Sequence, residues 1–264
     1  MKDANRTDGL AVVSFGGGVN SSALLIGMAM RGLKPDLILF SDTGGEKPET
    51  YEHLEVMQTW CVENSMPEIE VVSYSTSLHG TLENECLNNE TLPSKAFGFG
   101  GCSVKWKRQP MDKRVAAWEP AKAAWGRGEK VGRLIGLHAG EMRRGKIPDD
   151  AKYNYRYPLR EWGWQQEDCE AAIRGAGLRV PVKSACFYCP AMRKAEVIQL
   201  SEQHPELFQR AVEMERNANA AGNLETVKGL GRHWTWENLV AGDRAQLRLF
   251  RDDQAPQCDT CFDG

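Results

Sequence analysis

Residues 10–25 read LAVVSFGGGVNSSALL, and no other stretch limits the fold as much. The apolar run 10–13 has the length of a buried strand; three consecutive glycines then break it, and an apolar run resumes after Ser21 and Ser22. Strand, tight loop and helix are the predicted order. Consecutive glycines let the main chain approach a ligand closely, and the open N–H groups at a helix start favour an anion. Phosphate-binding candidates are therefore Gly16, Gly17, Gly18, Asn20, Ser21 and Ser22, with Ser14 at the strand end. The plainer alternative for Ser21 is a helix N-cap. The loop has neither the lysine of a Walker A motif nor the spaced glycines of a dinucleotide fingerprint.

The chain then alternates. A helix ending near Gly32 precedes a short apolar run at 36–40, bounded by Pro35 and by Ser41-Asp42, which reads as a buried parallel strand. A helix from Pro48 to about Cys61 and a third strand at 69–74 follow. This order predicts an α/β fold, a doubly wound parallel sheet whose ligands sit beyond the carboxyl ends of the strands. Asp42 and Thr43 fall at that edge beside the glycine loop, as candidates for ribose, magnesium or phosphate, with an Asx turn as the alternative. Residues 77–101 carry no periodicity and are expected to form a long loop bordering the site. A helix over 111–125 leads to a strand over 131–137, which places Gly136 and then His138 at the same edge. Helices at about 165–174, 192–203 and 205–221 make the C-terminal part helical. The expected division is a nucleotide-binding domain at 1–160 and a helical, cysteine-containing extension at 161–264.

A formal net charge of −3 leaves no global basic footprint, so nucleic acid would need a local patch. There is no charged-then-apolar leader, and no apolar run approaches the roughly eighteen residues of a membrane span, which leads us to expect a cytoplasmic protein that is not a membrane protein. Eight cysteines in such a chain are not read as a disulfide framework. Cys61, Cys86 and Cys169 read as packing residues, whereas the pairs Cys186/Cys189 and Cys258/Cys261 have the CxxC spacing of metal or redox chemistry. The stretch GLGRHWTW at 229–236 groups glycines, a cation and two indoles; packing of the C-terminal part is the expectation, with base stacking as the alternative.

Several segments together resemble a known family. Residues 16–21, GGGVNS, resemble the SGGxDS PP-loop of the adenine nucleotide alpha hydrolase superfamily, with Gly16 for the first serine and Asn20 for the aspartate. SDTGGEKPETY (41–51) resembles the DTGxxxPETY segment of phosphoadenylyl and adenylyl sulfate reductases. CSVKWKRQP (102–110), GLHAGEMRR (136–144), YPLREW (157–162) and PVKSACFYCP (181–190) resemble later segments of that family in the same order. Gly101 stands where cluster-binding members have a second, vicinal cysteine, and the family's tail signature Glu-Cys-Gly-x-His is absent.

The resemblance implies an adenine nucleotide alpha hydrolase-like fold and an adenine nucleotide, ATP among them, held with magnesium. It implies Cys102, Cys186 and Cys189 around a 4Fe-4S cluster, with a fourth ligand from Cys258, the one favoured, Cys261 or an exogenous group; zinc on the same soft thiolates, or free thiols, are the alternatives. Lys107 and Arg143 become the favoured phosphate or sulfate cations among Lys105, Lys107, Arg108, Arg143 and Arg144, and Cys261 a catalytic tail cysteine. The function so implied is action at the alpha phosphate, either in sulfur transfer or in ATP-dependent adenylation of a base or small substrate. The alternatives are true sulfonucleotide reduction and, from another class, a non-catalytic nucleotide sensor or zinc-stabilised nucleic-acid module. The expected partners are a thiol or sulfur donor, an acceptor such as a nucleic acid or nucleoside, and a second copy of the chain in a homodimer.

Overall fold

The computed structural model describes residues 9–74, 78–141 and 147–252, with 246–252 as backbone. The chain divides into two compact units, one of residues 1–82 and 101–186, the other of 83–100 and 187–264.

The first unit is built on a five-stranded sheet. Its strands are β1 (Ala11–Phe15), β2 (Leu37–Asp42), β3 (Ile69–Ser73), β4 (Val131–Ile135) and β5 (Tyr153–Arg156), in the order β3-β2-β1-β4-β5 with every pairing parallel. Helices cover both faces. Ala11, Val13, Phe15, Ile38, Phe40 and Leu134 bury against α1 (Val19–Met30), α2 (Pro48–Glu63) and α8 (Gln166–Gly175). Val12, Leu37, Leu39 and Val131 point the other way, onto Met111 and Val115 of α5 (Gln109–Ala116) and Ala121 of α6 (Glu119–Gly126). The period-2 alternation thus feeds two cores, as a doubly wound parallel sheet requires. The expected fold class is the one observed.

Cys61 and Cys169 lie in the first core, where burial raises their thiols to about 11 and about 12, as suits packing residues. Three further readings are corrected. The helix expected over 111–125 is two helices, because Pro120 in the first turn of α6 lacks the N–H that a continuous helix would need. The first of these helices is preceded by a short turn, α4 (Gly101–Ser103), and a π-helical turn, Val104–Arg108, so Cys102 and Lys107 sit on helical backbone. The loop expected at 77–101 contains α3 (Leu82–Asn88). Strand β5 went unread because its sequence, YNYR, carries no apolar run. After α7 (Pro158–Glu161), helix α8 packs on α1 inside the first unit, beyond the boundary expected at 160.

The second unit is helical, with α9 (Lys194–Gln203), α10 (Pro205–Ala220) and α11 (Trp236–Asp252). Its segment 229–236 packs as expected. Glu215 of α10, 3% exposed, accepts from the amides of Leu230 (2.6 Å) and Trp236 (2.9 Å), and Trp236 is itself buried. Burial raises the Glu215 carboxyl to about 7, against the pull of those amides. Among the described residues no helix is long and apolar enough to cross a membrane.

Candidate functional site

Strand order fixes where a ligand can enter. β1 is central, with β2 on one side and β4 on the other, so the crevice beyond its carboxyl end opens between the loops after β1 and β4. A cavity of about 700 Å³ lies there. Ser14, Gly16, Gly18, Asn20, Ser21, Lys107 and Gly136 of the candidates all line it.

Local sequence explains the shape. Gly17 has φ +71° and its missing Cβ would stand 2.9 Å from the Thr50 side chain; the missing Cβ of Gly18 would stand 2.8 Å from Ser184 Oγ. Gly136 is the tightest point, because a Cβ there would lie 2.6 Å from the Asn20 carbonyl oxygen and 2.9 Å from the Ser21 nitrogen. The end of β4 therefore rests directly on the first turn of α1. Gly16 is different, with nothing closer than Ser21 Oγ at 3.9 Å, so that position has room for a side chain. At the helix start Gly18 N–H donates to Ser21 Oγ (3.3 Å), and Ser21 and Ser22 hydroxyls both donate to the Gly18 carbonyl (3.0 Å each). The amides of Val19, Asn20 and Ser21 precede the first intrahelical bond, from Ser22 to Gly18, and are the helix's open donors.

Other candidates are used elsewhere. Ser22 is fully buried, outside the cavity lining, with its hydroxyl 2.7 Å from His53 Nε2. Burial lowers the His53 pKa and keeps that ring neutral. Asp42 accepts from Gly44 N–H (2.8 Å) and the Tyr51 hydroxyl (2.7 Å), the Asx-turn arrangement. Burial first, and then this hydrogen bond, raises the Tyr51 pKa, so its proton stays on the shared bond. Thr43 is buried and places its hydroxyl 3.1 Å from Cys186 Sγ and 3.4 Å from Glu46 Oε1. Ser14, on the cavity wall, receives Arg133 Nε at 3.0 Å.

Three charged residues that the sequence reading passed over organise the site. Glu46, 4% exposed, takes Lys107 Nζ at 2.6 Å and lies 3.6 Å from Cys186 Sγ, while the main chains of Glu46 and Cys186 form an antiparallel bridge. Arg133, 3% exposed in β4, pairs with Asp112 as well as Ser14. Glu141 receives Asn20 Nδ2 at 2.7 Å. Arg133 had a signal, a lone charge inside the apolar run VGRLIGL; Glu46 and Glu141 fall inside the family-like segments SDTGGEKPETY and GLHAGEMRR, but their partners lie far away in sequence.

A second cavity, of about 270 Å³, adjoins the first through Ser14, Gly16, Lys107 and Ile135. Its walls are largely apolar, from Phe15, Phe40, Met111 and Tyr155, with Arg108 and Arg133 as cations. The polar, amide-lined chamber suits phosphates and the apolar one suits a flat ring.

Of the cysteine set, Cys102 is partly exposed and Cys186 buried in the first unit, and Cys189 belongs to the second. Arg143, Arg144, Cys258 and Cys261 lie outside the described residues. Among the described residues no group of three or more His, Cys, Asp or Glu side chains is gathered to hold a metal ion. The described cysteines therefore do not make up a cluster or zinc site by themselves, and no chemistry below passes through one.

No protein-family model matches the chain, and no curated protein matches it by sequence. Among solved structures it is similar to the U34-tRNA thiolase NcsA from Methanococcus maripaludis with its 4Fe-4S cluster, at 15% identity and TM-score 0.44, over 100% of this chain and 79% of that one.

Proposed function

We propose that this chain is a PP-loop enzyme that binds an adenine nucleotide and acts at its alpha phosphate, in sulfur transfer or in adenylation of a base or small substrate. The observation that carries the reading is the single cavity lined by Gly16, Gly18, Ser21, Gly136 and Lys107 at the open end of α1. In this reading the α1 amides and Lys107 take the phosphates, and the adjoining apolar chamber takes the adenine. Magnesium fits only together with the nucleotide's own oxygens. Glu141 faces the cavity, and the buried Asn20 Oδ1 has no hydrogen-bond partner among the described residues. The ion would screen the phosphate charge.

What this chain's residues do is bind and orient. The amides of Val19, Asn20 and Ser21 stabilise charge that grows on a phosphate oxygen, and Lys107, already held by Glu46, does so without reorganising. Cys186 follows two residues after Ser184, a cavity residue, and its thiol turns to Thr43 and Glu46. A cytoplasmic, homodimeric protein with a nucleic-acid or nucleoside acceptor and a thiol or sulfur donor completes the proposal, with Arg143 and Cys261 in the roles that the family resemblance gives them. Iron–sulfur on Cys102, Cys186, Cys189 and Cys258 is proposed ahead of zinc, on that resemblance alone.

Calorimetric titration with ATP and with phosphoadenylyl sulfate, coupled to pyrophosphate and sulfite assays and to metal analysis of anaerobically purified protein, tests all of this. ATP binding with pyrophosphate release supports adenylation, and sulfite release supports the reductase reading. Binding without turnover leaves the sensor reading, and no binding of either nucleotide overturns the proposal.

A further inference from the structure

The loop's departure at residue 20 has a counterpart across the cavity. Asn20 sits in the first turn of α1 and gives its carboxamide N–H to Glu141 Oε2 at 2.7 Å. Glu141 is held from behind: its carbonyl accepts from Arg160 (2.6 Å) and its amide donates to the His138 carbonyl (3.2 Å). The turn it closes is fixed further by Ala139 N–H on the Trp164 carbonyl (2.7 Å) and Gly140 N–H on His138 Nδ1 (3.1 Å). With Gly136 pressed on the Asn20 and Ser21 main chain, the β4 end and the start of α1 meet at two points, one steric and one polar. An aspartate at residue 20 would offer no donor there and would set a second carboxylate against the first, which disfavours ionisation of both.

We infer that Glu141 is a positioning residue for the nucleotide cavity, supplying a carboxylate from the turn after β4, and that Asn20 is its matched neutral partner. The pair tethers the first turn of α1 and its open amides to the far wall of the cavity. The inference rests on the nucleotide-binding reading for its functional consequence, while the tether itself stands on geometry.

The test is a charge exchange in the full-length protein, comparing Asn20→Asp, Glu141→Gln and the double variant, with ATP as the probe. Asn20→Asp is expected to weaken ATP binding roughly tenfold and to lower the thermal midpoint. Adding Glu141→Gln to it restores both, because a carboxamide and a carboxylate again face each other with polarity reversed. Glu141→Gln alone retains a neutral hydrogen bond and has the smaller effect. A double variant no better than Asn20→Asp in affinity and midpoint overturns the inference, as does an Asn20→Asp protein indistinguishable from wild type. If the wild-type protein binds no ATP, the nucleotide proposal fails by itself, and the thermal midpoints of the four proteins still decide whether the two residues are coupled.

Discussion

Two strand ends flank the glycine loop, and they use similar polar sequence in opposite ways. After β2, the run Asp42-Thr43-Gly44-Gly45-Glu46 turns inward: Asp42 caps its own turn and binds Tyr51, Thr43 binds Glu46 and Cys186, and Glu46 takes Lys107. After β4, Gly136, Leu137, His138 and Glu141 all line the cavity. The difference comes from neighbours. The β2 loop lies under α2 and the segment ending at Cys186, whose donors satisfy its oxygens, whereas Gly136, just after β4, lets the α1 turn approach, and Glu141 takes its side-chain partner, Asn20, from the cavity wall itself. Polar residues at the carboxyl edge of a parallel sheet are therefore not equivalent site candidates; what matters is whether their partners lie away from the cavity or on its own wall.

The strongest way to break this contrast is at the glycines. Gly136→Val drives a side chain into the Asn20 carbonyl, and we expect loss of nucleotide binding with a destabilisation of about 3 kcal/mol in urea unfolding. Gly16→Ala, whose Cβ would meet only Ser21 Oγ, at 3.9 Å, should stay within about 0.5 kcal/mol of wild type and keep its affinity. Equal effects at the two positions would erase the distinction. Next in size is Lys107→Met, which strands the buried Glu46 carboxylate; about 3 kcal/mol is expected, at the low end for a buried pair because Lys107 is partly exposed. Glu46→Gln on that background should recover much of it, measured in the same unfolding experiment. Asp42→Asn should cost only about 1 kcal/mol, the size of a hydrogen bond, and leave ATP affinity unchanged. A drop in affinity there would return Asp42 to the site.

The smallest effect is in pH. His53, under the loop beside Ser22, has its pKa lowered by burial from 6.5, so between its folded and unfolded values the unfolded chain binds more protons. Its contribution to stability is full above about pH 6.5 and is lost as pH falls through the folded value. Unfolding free energies measured on both sides of that pH should show the slope, and His53→Gln should flatten it.

The sheet was legible because β1 to β4 are apolar runs with turn residues at both ends, and the glycine loop because its composition admits few conformations. β5 was not, since an edge strand of tyrosines, asparagine and arginine has no apolar signature. The site was half legible. Backbone-driven members such as Gly18, Ser21 and Gly136 follow from local sequence, but Glu46 and Glu141 take partners 61 and 121 residues away, which the segments SDTGGEKPETY and GLHAGEMRR do not name. Ser22 and Asp42 belong to the right segments, but their hydroxyl and carboxylate turn to His53 and Tyr51, partners that local sequence does not name.

The short segment from Lys183 to Cys186 touches everything at once. Lys183 and Ser184 line the cavity, Ser184 closes over Gly18, Ala185 accepts the Lys47 amide at 3.3 Å, and Cys186 bridges to Glu46. Ser184 and Cys186 have Cα atoms at most about 7.6 Å apart, two trans peptide steps. One four-residue stretch of main chain therefore carries both a wall of the chamber and a buried sulfur.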